Sequence, residues 1–340
     1  MKNSNGIKVA INGFGRIGRA FLKGSWDSDE LEVVAVNDLG SVDNMAYLLK
    51  YDTVYKTWDK DVKVEGGNLV IDGKTVKFVS EKEPTKLPWK DLNIDVVVES
   101  TGLFTDYEKA SVHLSAGAKK VVITAPSKGE SGGETILMGV NEEKFGTCDV
   151  TSNASCTTNA ASPLIAILDE NFGIEKAILN TVHGYTASQS LVDGPSKKDL
   201  REGRAAAQNI VPSSTGAAIA VTKAFTKLDG LFDGISIRVP VVAGSIVDVT
   251  LISKKTTTAE EVNEVLREAS KTERWKNIFS ATDEELVSSD ILGSHFGSIA
   301  DLKMTRVVGG NLVKVMAWYD NEAGYTHTLI DHVIKTGSTI

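Results

Sequence analysis

Residues 7–18 read IKVAINGFGRIG, and the fold is decided here. Ile7–Ile11 is a short apolar run closed by Asn12-Gly13, which suits a strand buried on both faces of a parallel sheet. Gly13, Gly15 and Gly18 then fall at the spacing G-x-G-x-x-G, and a helical pattern over Ile17–Leu22 opens on them. In that setting the first glycine permits a tight turn, the second lets backbone approach a pyrophosphate, and the third allows close helix–sheet packing. The backbone N–H groups of Arg16 and Ile17 would point at phosphate oxygens from the helix start. A glycine-rich turn with no ligand is the alternative. A second strand, VVAVND, argues for a dinucleotide by ending on Asp38, about 20 residues further on, where a carboxylate accepts from the adenosine ribose hydroxyls. Asp38 also repels a 2′-phosphate, and Leu39 offers that phosphate no donor, so NAD is predicted over NADP.

Working outward, Val33–Val36, Val96–Val98 and Val121–Ile123 repeat the compact apolar run, with helical patterns between them such as Asp106–Ala116. Strand–helix repetition predicts a doubly wound parallel sheet of the Rossmann kind. Between Val54 and Phe78 the pattern alternates apolar and polar around GGN and DGK turns, which reads as antiparallel hairpins. The second half has strands at Ile235–Val239, Val247–Ile252 and Val313–Trp318, with a helix predicted over Thr258–Lys271 and helix-like spacing over Glu322–Ile334. It reads as an α+β domain.

The chain has 340 residues, enough for two domains, and its 37 basic and 45 acidic residues give a net charge of −8. That balance does not indicate a nucleic-acid partner, which calls for a basic footprint. No apolar run spans a bilayer, and the start MKNSNGIKVAING lacks the apolar core of a signal peptide, so a cytoplasmic location is expected. Two cysteines, Cys148 and Cys156, make no disulfide framework.

Cys156 lies in SNASCTTNAASPL, among small polar residues at the start of a helical run that Pro163 complicates. A thiol at a helix N-terminus is expected to have its pKa lowered by exposed N–H groups. Cys148 reads as an inert cysteine. Of five histidines, His183 in LNTVHGYTASQ is the best candidate to take the thiol proton, although spacing alone does not bring the two together. His113, His295, His327 and His332 read as surface or satisfied structural residues. No HExxH or Cys/His clustering is present, so no metal is expected.

INGFGRIG, SNASCTTN, HGYT, GRAAAQN, PSSTGAA and AWYDNE occur in that order along nearly the whole chain. Together they resemble the glyceraldehyde-3-phosphate dehydrogenase family. The resemblance implies an NAD-binding Rossmann domain over residues 1–155, a catalytic domain with a mostly antiparallel sheet over 156–320, and a C-terminal helix, about 321–340, packing back on the first. It implies oxidation of glyceraldehyde 3-phosphate with NAD and inorganic phosphate to 1,3-bisphosphoglycerate, by a homotetramer.

By the same resemblance Cys156 is the nucleophile and His183 its base. Arg16, Ile17, Asp38, Lys82, Thr124 and Asn321 contact NAD, with Asn321 holding the nicotinamide carboxamide. Thr186 and Arg238 hold the substrate phosphate. Ser155, Thr157, Thr215 and Gly216, with Arg204 nearby, belong to the anion sites that also bind the attacking phosphate.

The pattern has departures. Ala160 replaces a common second cysteine, Gly184 follows His183 and suggests a looser loop, VPVVAGSIVD replaces a Thr-Pro-Asn-Val segment, and Ala323 replaces an aromatic residue. Erythrose-4-phosphate dehydrogenase, which hydrolyses the thioester, is the nearest alternative. Aspartate-semialdehyde dehydrogenase is disfavoured by Asp38, and a purely binding role by the retained Cys156 and His183.

Overall fold

A computed structural model describes residues 6–196 and 199–340. Residues 1–5, part of the stretch read for a leader, lie outside the described residues. The chain divides into two compact units. One gathers the described part of Met1–Ile136 with Glu142–Ala154 and Leu329–Ile340; the other holds Leu137–Asn141 and Ser155–Thr328. No helix among the described residues is long and apolar enough to cross a membrane.

The first unit is built on a nine-stranded sheet. Ile7–Asn12 sits centrally, paired in parallel with Leu31–Asn37 on one side and Val96–Glu99 on the other. From Leu31–Asn37 the sheet continues to Lys74–Val79, and beyond Val96–Glu99 lie Lys120–Ile123 and Val150–Ser152, all in parallel. Every residue of Val96–Glu99 and Lys120–Ile123 is buried, which is why these strands read as unbroken apolar runs rather than as alternation. The antiparallel hairpins expected between Val54 and Phe78 extend one edge as Val62–Glu65, Asn68–Ile71 and Lys74–Val79. Strand order reverses between Ile7–Asn12 and Val96–Glu99, and the crevice at the carboxyl ends of such a switch point is where doubly wound folds bind ligands.

The second unit carries an eight-stranded mixed sheet. Ile174–Gly184 pairs in parallel with Phe232–Val239 and antiparallel with Ser245–Ser253, which in turn pairs antiparallel with Leu312–Tyr319. Burial alternates along Ser245–Ser253 and Leu312–Tyr319, so one face is covered. The helix Cys156–Phe172 covers it, with Thr157 to Leu168 buried throughout, and packs against these two strands. It runs unbroken across Pro163.

Two expectations are corrected. The helix read over Asp106–Ala116 is two short helices, Tyr107–Ala110 and Val112–Ser115. Ser111 Oγ donates to the Glu108 carbonyl at 2.6 Å at the break, a local side-chain bond of the kind that competes with the helical ladder. The helix read over Thr258–Lys271 stops at Ala269; it starts from a full capping box between Thr258 and Glu261. The residues leading to His183 form the eleven-residue strand Ile174–Gly184.

Candidate active site

In the first unit the glycine-rich turn is held by sterics. Gly13 has φ +93°, and a Cβ there would lie 2.6 Å from the Thr101 backbone nitrogen. A Cβ at Gly18 would lie 2.3 Å from the Gly13 carbonyl oxygen, so helix and turn touch backbone to backbone. A Cβ at Gly15 would meet nothing within 4 Å. Packing therefore does not account for Gly15, whereas the approach of a ligand does.

Asp38 closes the turn: Oδ2 accepts from Phe14 N–H at 2.7 Å and Oδ1 from Gly40 N–H at 2.8 Å. A carboxylate has about four acceptor positions, so two remain for ribose hydroxyls. The open space at Gly15 and the spare lone pairs of Asp38 fit a dinucleotide. Arg16 and Ile17 open the helix, and the Arg16 side chain forms a two-pronged ion pair with Asp52 at 3.0 and 3.3 Å. Lys82 is exposed and Thr124 half-buried, its N–H bonded to the Glu99 carbonyl at 3.0 Å.

Beneath the turn lies a polar network that sequence reading left unassigned. Trp89 Nε1–H donates to His113 Nδ1 at 3.1 Å, which places the histidine proton on Nε2, and that donates to Glu99 Oε2 at 2.9 Å. Asn12 Nδ2 donates to the same oxygen at 2.6 Å, and Asn37 Nδ2 to Asn12 Oδ1 at 2.8 Å. His113 is thus a satisfied interior residue in a network that ties together the ends of three neighbouring strands.

In the second unit the nucleophile candidate stands first in its helix. Ala154, with φ +54°, turns the chain, and Ser155 caps the helix by accepting from Thr158 N–H at 3.1 Å. Cys156 Sγ lies 3.4 Å from His183 Nε2. The imidazole stands at the end of its strand, in register with Arg238 on the neighbouring one. His183 Nδ1 meets the Gly184 carbonyl at 2.6 Å, and Arg238 Nη1 approaches both that nitrogen, at 2.7 Å, and that carbonyl, at 3.4 Å. Nδ1 thus faces an acceptor, the Gly184 carbonyl, and a donor, the Arg238 guanidinium; with its proton on Nδ1 and bonded to that carbonyl, Nε2 is the nitrogen that can receive one from sulfur.

Burial pushes the Cys156 thiol up, against the expectation of a lowered pKa; the Arg238 charge, Thr157 and the helix-start N–H groups act in the opposite direction. Burial, then Arg238, pull His183 down to about 3. Ionising either group alone is unfavourable, while passing the proton from Sγ to Nε2 keeps the pair neutral overall.

The remaining site candidates are distributed as follows. Thr157 Oγ1 bonds Tyr319 Oη at 2.8 Å, which continues to Thr181 Oγ1 at 2.7 Å, and the Tyr319 ring stands edge-on to His183 at 5.9 Å. Arg238 Nε is buried without a hydrogen-bond partner. Thr186 Oγ1 bonds Ser188 at 3.1 Å. Thr215 and Gly216 precede the helix Ala217–Ala224, with Gly216 open to space. Arg204 is exposed and pairs with Asp193 at 2.7 Å. Asn321 Oδ1 accepts from Gly244 N–H at 3.0 Å and from Ser245 Oγ at 3.1 Å.

The loop after His183 is not loose. Gly184 is buried, its N–H donates to Ser245 Oγ at 3.2 Å, and Tyr185 N–H donates to the Val241 carbonyl at 3.0 Å. A Cβ at Gly184 would stand 3.0 Å from the Val241 carbonyl oxygen, so the unusual glycine and the unusual 241–244 segment fit each other.

A family model described as the glyceraldehyde 3-phosphate dehydrogenase NAD binding domain matches residues 7–107, and one described as the C-terminal domain matches residues 155–321. The chain belongs to the glyceraldehyde-3-phosphate dehydrogenase family. Glyceraldehyde-3-phosphate dehydrogenase B of Aspergillus oryzae is 48% identical to it over 325 residues, 95% of this chain and 96% of the relative. Glyceraldehyde-3-phosphate dehydrogenase of Thermotoga maritima is 49% identical, covering 95% of this chain and 97% of its own length. That of Geobacillus stearothermophilus is 47% identical over 96% of both. Membership of this family makes the chain an NAD-dependent oxidoreductase with an α/β NAD-binding domain and a catalytic domain on a mixed, largely antiparallel sheet.

Proposed function

We propose that this chain oxidises D-glyceraldehyde 3-phosphate to 1,3-bisphosphoglycerate with inorganic phosphate, through a thioester on Cys156, as a cytoplasmic homotetramer. The observation that carries the reading is Cys156 Sγ at 3.4 Å from His183 Nε2, within reach of a direct proton transfer.

The steps follow from those two side chains. Sγ attacks the aldehyde carbon as its proton passes to His183 Nε2, giving a hemithioacetal. The developing oxygen charge is met by His183 and by the Cys156 N–H at the helix start. NAD, when bound, supplies the hydride acceptor. His183 hands the thiol proton to the hemithioacetal oxygen and takes it back as hydride is lost, which leaves the thioester. A phosphate oxygen then attacks that carbonyl and Sγ departs as thiolate, so the oxidation is conserved as an acyl phosphate provided water is excluded.

Gly13, Gly15, Gly18, Arg16, Ile17, Asp38, Lys82 and Thr124 would hold the cofactor, and Asn321 its carboxamide. Arg238, whose Nε has no protein acceptor, suits the substrate phosphate together with Thr186. The helix start at Thr215 and Gly216, with Ser155 and Thr157, suits the attacking phosphate. Arg204 would have to exchange Asp193 for that anion.

Support for the tetramer comes from the uncovered face of the second sheet. Ile178, Leu231 and Leu312 are exposed apolar residues lining a groove of about 390 Å³, with Ile235 exposed on a neighbouring strand position. Ile178→Glu should lower the sedimentation mass, and an unchanged mass would remove this face from the assembly.

The test of the reaction is NADH formation from glyceraldehyde 3-phosphate with and without inorganic phosphate. Phosphate-dependent turnover is expected. Phosphate-independent release of the free acid would favour the erythrose-4-phosphate dehydrogenase type of chemistry.

A further inference from the structure

We infer that Ser245 is a positioning residue that joins the catalytic imidazole to the amide of Asn321. The inference rests on the proposed roles of Cys156, His183 and Asn321. Ser245 opens the strand Ser245–Ser253 and is buried, and its hydroxyl makes two bonds whose directions are forced. Gly184 N–H, 3.2 Å away, can only donate, so Ser245 Oγ accepts there. The hydroxyl proton is left for the Asn321 side-chain atom 3.1 Å away. That atom also receives the Gly244 N–H at 3.0 Å, again a group that only donates, so it is the oxygen of the amide and not its nitrogen.

Two consequences follow. The Asn321 amide has one orientation, with its oxygen on Gly244 N–H and Ser245 Oγ, which leaves its NH₂ as the donor for a carboxamide oxygen. Gly184 is also fixed on both sides: its N–H, in the peptide link to His183, is held by Ser245, and its carbonyl, in the peptide link to Tyr185, faces His183 Nδ1 at 2.6 Å. A chain of positioning contacts therefore runs Cys156 Sγ, His183, the backbone on either side of Gly184 Cα, Ser245 Oγ, Asn321 Oδ1.

Its backbone members depend on the local departures in sequence. Gly244 has φ +88°, and a Cβ there would lie 2.7 Å from the Ser288 carbonyl oxygen, so a glycine is what lets residue 244 aim its N–H at Asn321. The absence of a side chain at Gly184 lets its peptide sit against Val241 and Ala243.

Ser245→Ala, Ser245→Thr and Ser245→Cys, each in the full chain, test this. Calorimetric titration with NAD and with ADP-ribose separates the amide contact from the glycine-rich turn. The rate of Cys156 alkylation by iodoacetamide against pH, without cofactor, reads the imidazole. Ser245→Ala should weaken NAD about tenfold, the scale of one hydrogen bond, leave ADP-ribose unchanged, and shift the alkylation profile. Ser245→Thr, which keeps the hydroxyl, should restore both readings. Ser245→Cys, close in size and a weaker donor, should fall between, and it serves if the alanine variant does not fold.

Equal loss of NAD and ADP-ribose affinity, or an alanine variant identical to wild type in all readings, would overturn the inference. Absence of NAD-dependent turnover in the wild-type chain would instead remove the functional reading beneath it.

Discussion

Two alanine substitutions three residues apart should separate the packing role of the glycine-rich turn from its binding role. At Gly18 the new methyl would stand 2.3 Å from the Gly13 carbonyl oxygen, 3.1 Å from Ile11 Cγ2 and 3.2 Å from Ser100 Oγ. Ordinary contact begins near 3.4 Å, so the helix and the turn must separate by about 1 Å, and the obstacle is backbone that has no rotamer to change. Against backbone that cannot yield, overpacking costs about 2–3 kcal/mol, and the better helix propensity of alanine returns about 1 kcal/mol, leaving a net loss of about 1–2 kcal/mol. At Gly15 no atom lies within 4 Å and φ is an ordinary −67°, so alanine should change stability by no more than about 0.5 kcal/mol. The methyl would nevertheless occupy the space through which backbone approaches the pyrophosphate, and NAD affinity should fall at least about tenfold. Urea unfolding midpoints and calorimetric NAD titrations measure the two effects. Wild-type NAD affinity in Gly15→Ala, or wild-type stability in Gly18→Ala, would refute the division of labour.

Further outcomes are expected elsewhere. Asp38→Asn should raise the NADP-to-NAD ratio of kcat/KM at least about tenfold, because the charge that repels a 2′-phosphate is gone; an unchanged ratio would place cofactor choice elsewhere. His183→Asn should lower kcat by about 10²–10⁴ while calorimetric NAD affinity stays put, and a loss under tenfold would mean another base. Asp331 is pushed up to about 6 by burial, with Glu142 and Glu30 adding to the shift and Lys335 opposing it. The folded state therefore keeps a proton that the unfolded chain has released, so this carboxyl costs stability above pH 6 and costs nothing below its ordinary value. Asp331→Asn should stabilise the protein by about 1–2 kcal/mol at pH 7.5, after allowance for solvent screening, with the gain vanishing near pH 4. Equal gains at both pH values would show that the carboxylate charge is not the cause.

The parallel core of the first unit was legible because Val96–Val98 and Val121–Ile123 are buried throughout, and Ile7–Ile11 and Val33–Val36 largely so, and they therefore carry continuous apolar runs. Val150–Ser152 is equally buried but reads VTS, and its interior place is secured by hydrogen bonds, such as Ser152 Oγ to the Ala125 carbonyl at 2.6 Å, which leave no apolar signature. The split at Ser111 and the course of Ile174–Gly184 depend likewise on local bonds and on strand partners distant in sequence.

In the site, Cys156 and His183 stood out by residue type and setting. Their contact arises from the register of Ile174–Gly184 beside Phe232–Val239 and from the helix start at Cys156, which no spacing rule encodes. A helix-start position by itself lowers a thiol pKa, and burial, which depends on the whole fold, pushes Cys156 the other way. Ser245 and Tyr319 escaped notice for a similar reason. A serine opening a strand and a tyrosine in AWYDNE look like ordinary strand residues until the neighbouring strands supply Gly184, Asn321, Thr157 and Thr181 as partners.

The most direct test of the mechanism is to trap the acyl enzyme. Mixing the protein with glyceraldehyde 3-phosphate and NAD in phosphate-free buffer, quenching in acid and mapping the peptides by mass spectrometry should find one phosphoglyceroyl group per chain on Cys156, removed when inorganic phosphate is added before the quench. NADH formation with no adduct on Cys156, or with the adduct on Cys148 instead, would contradict the thioester on which the account is built.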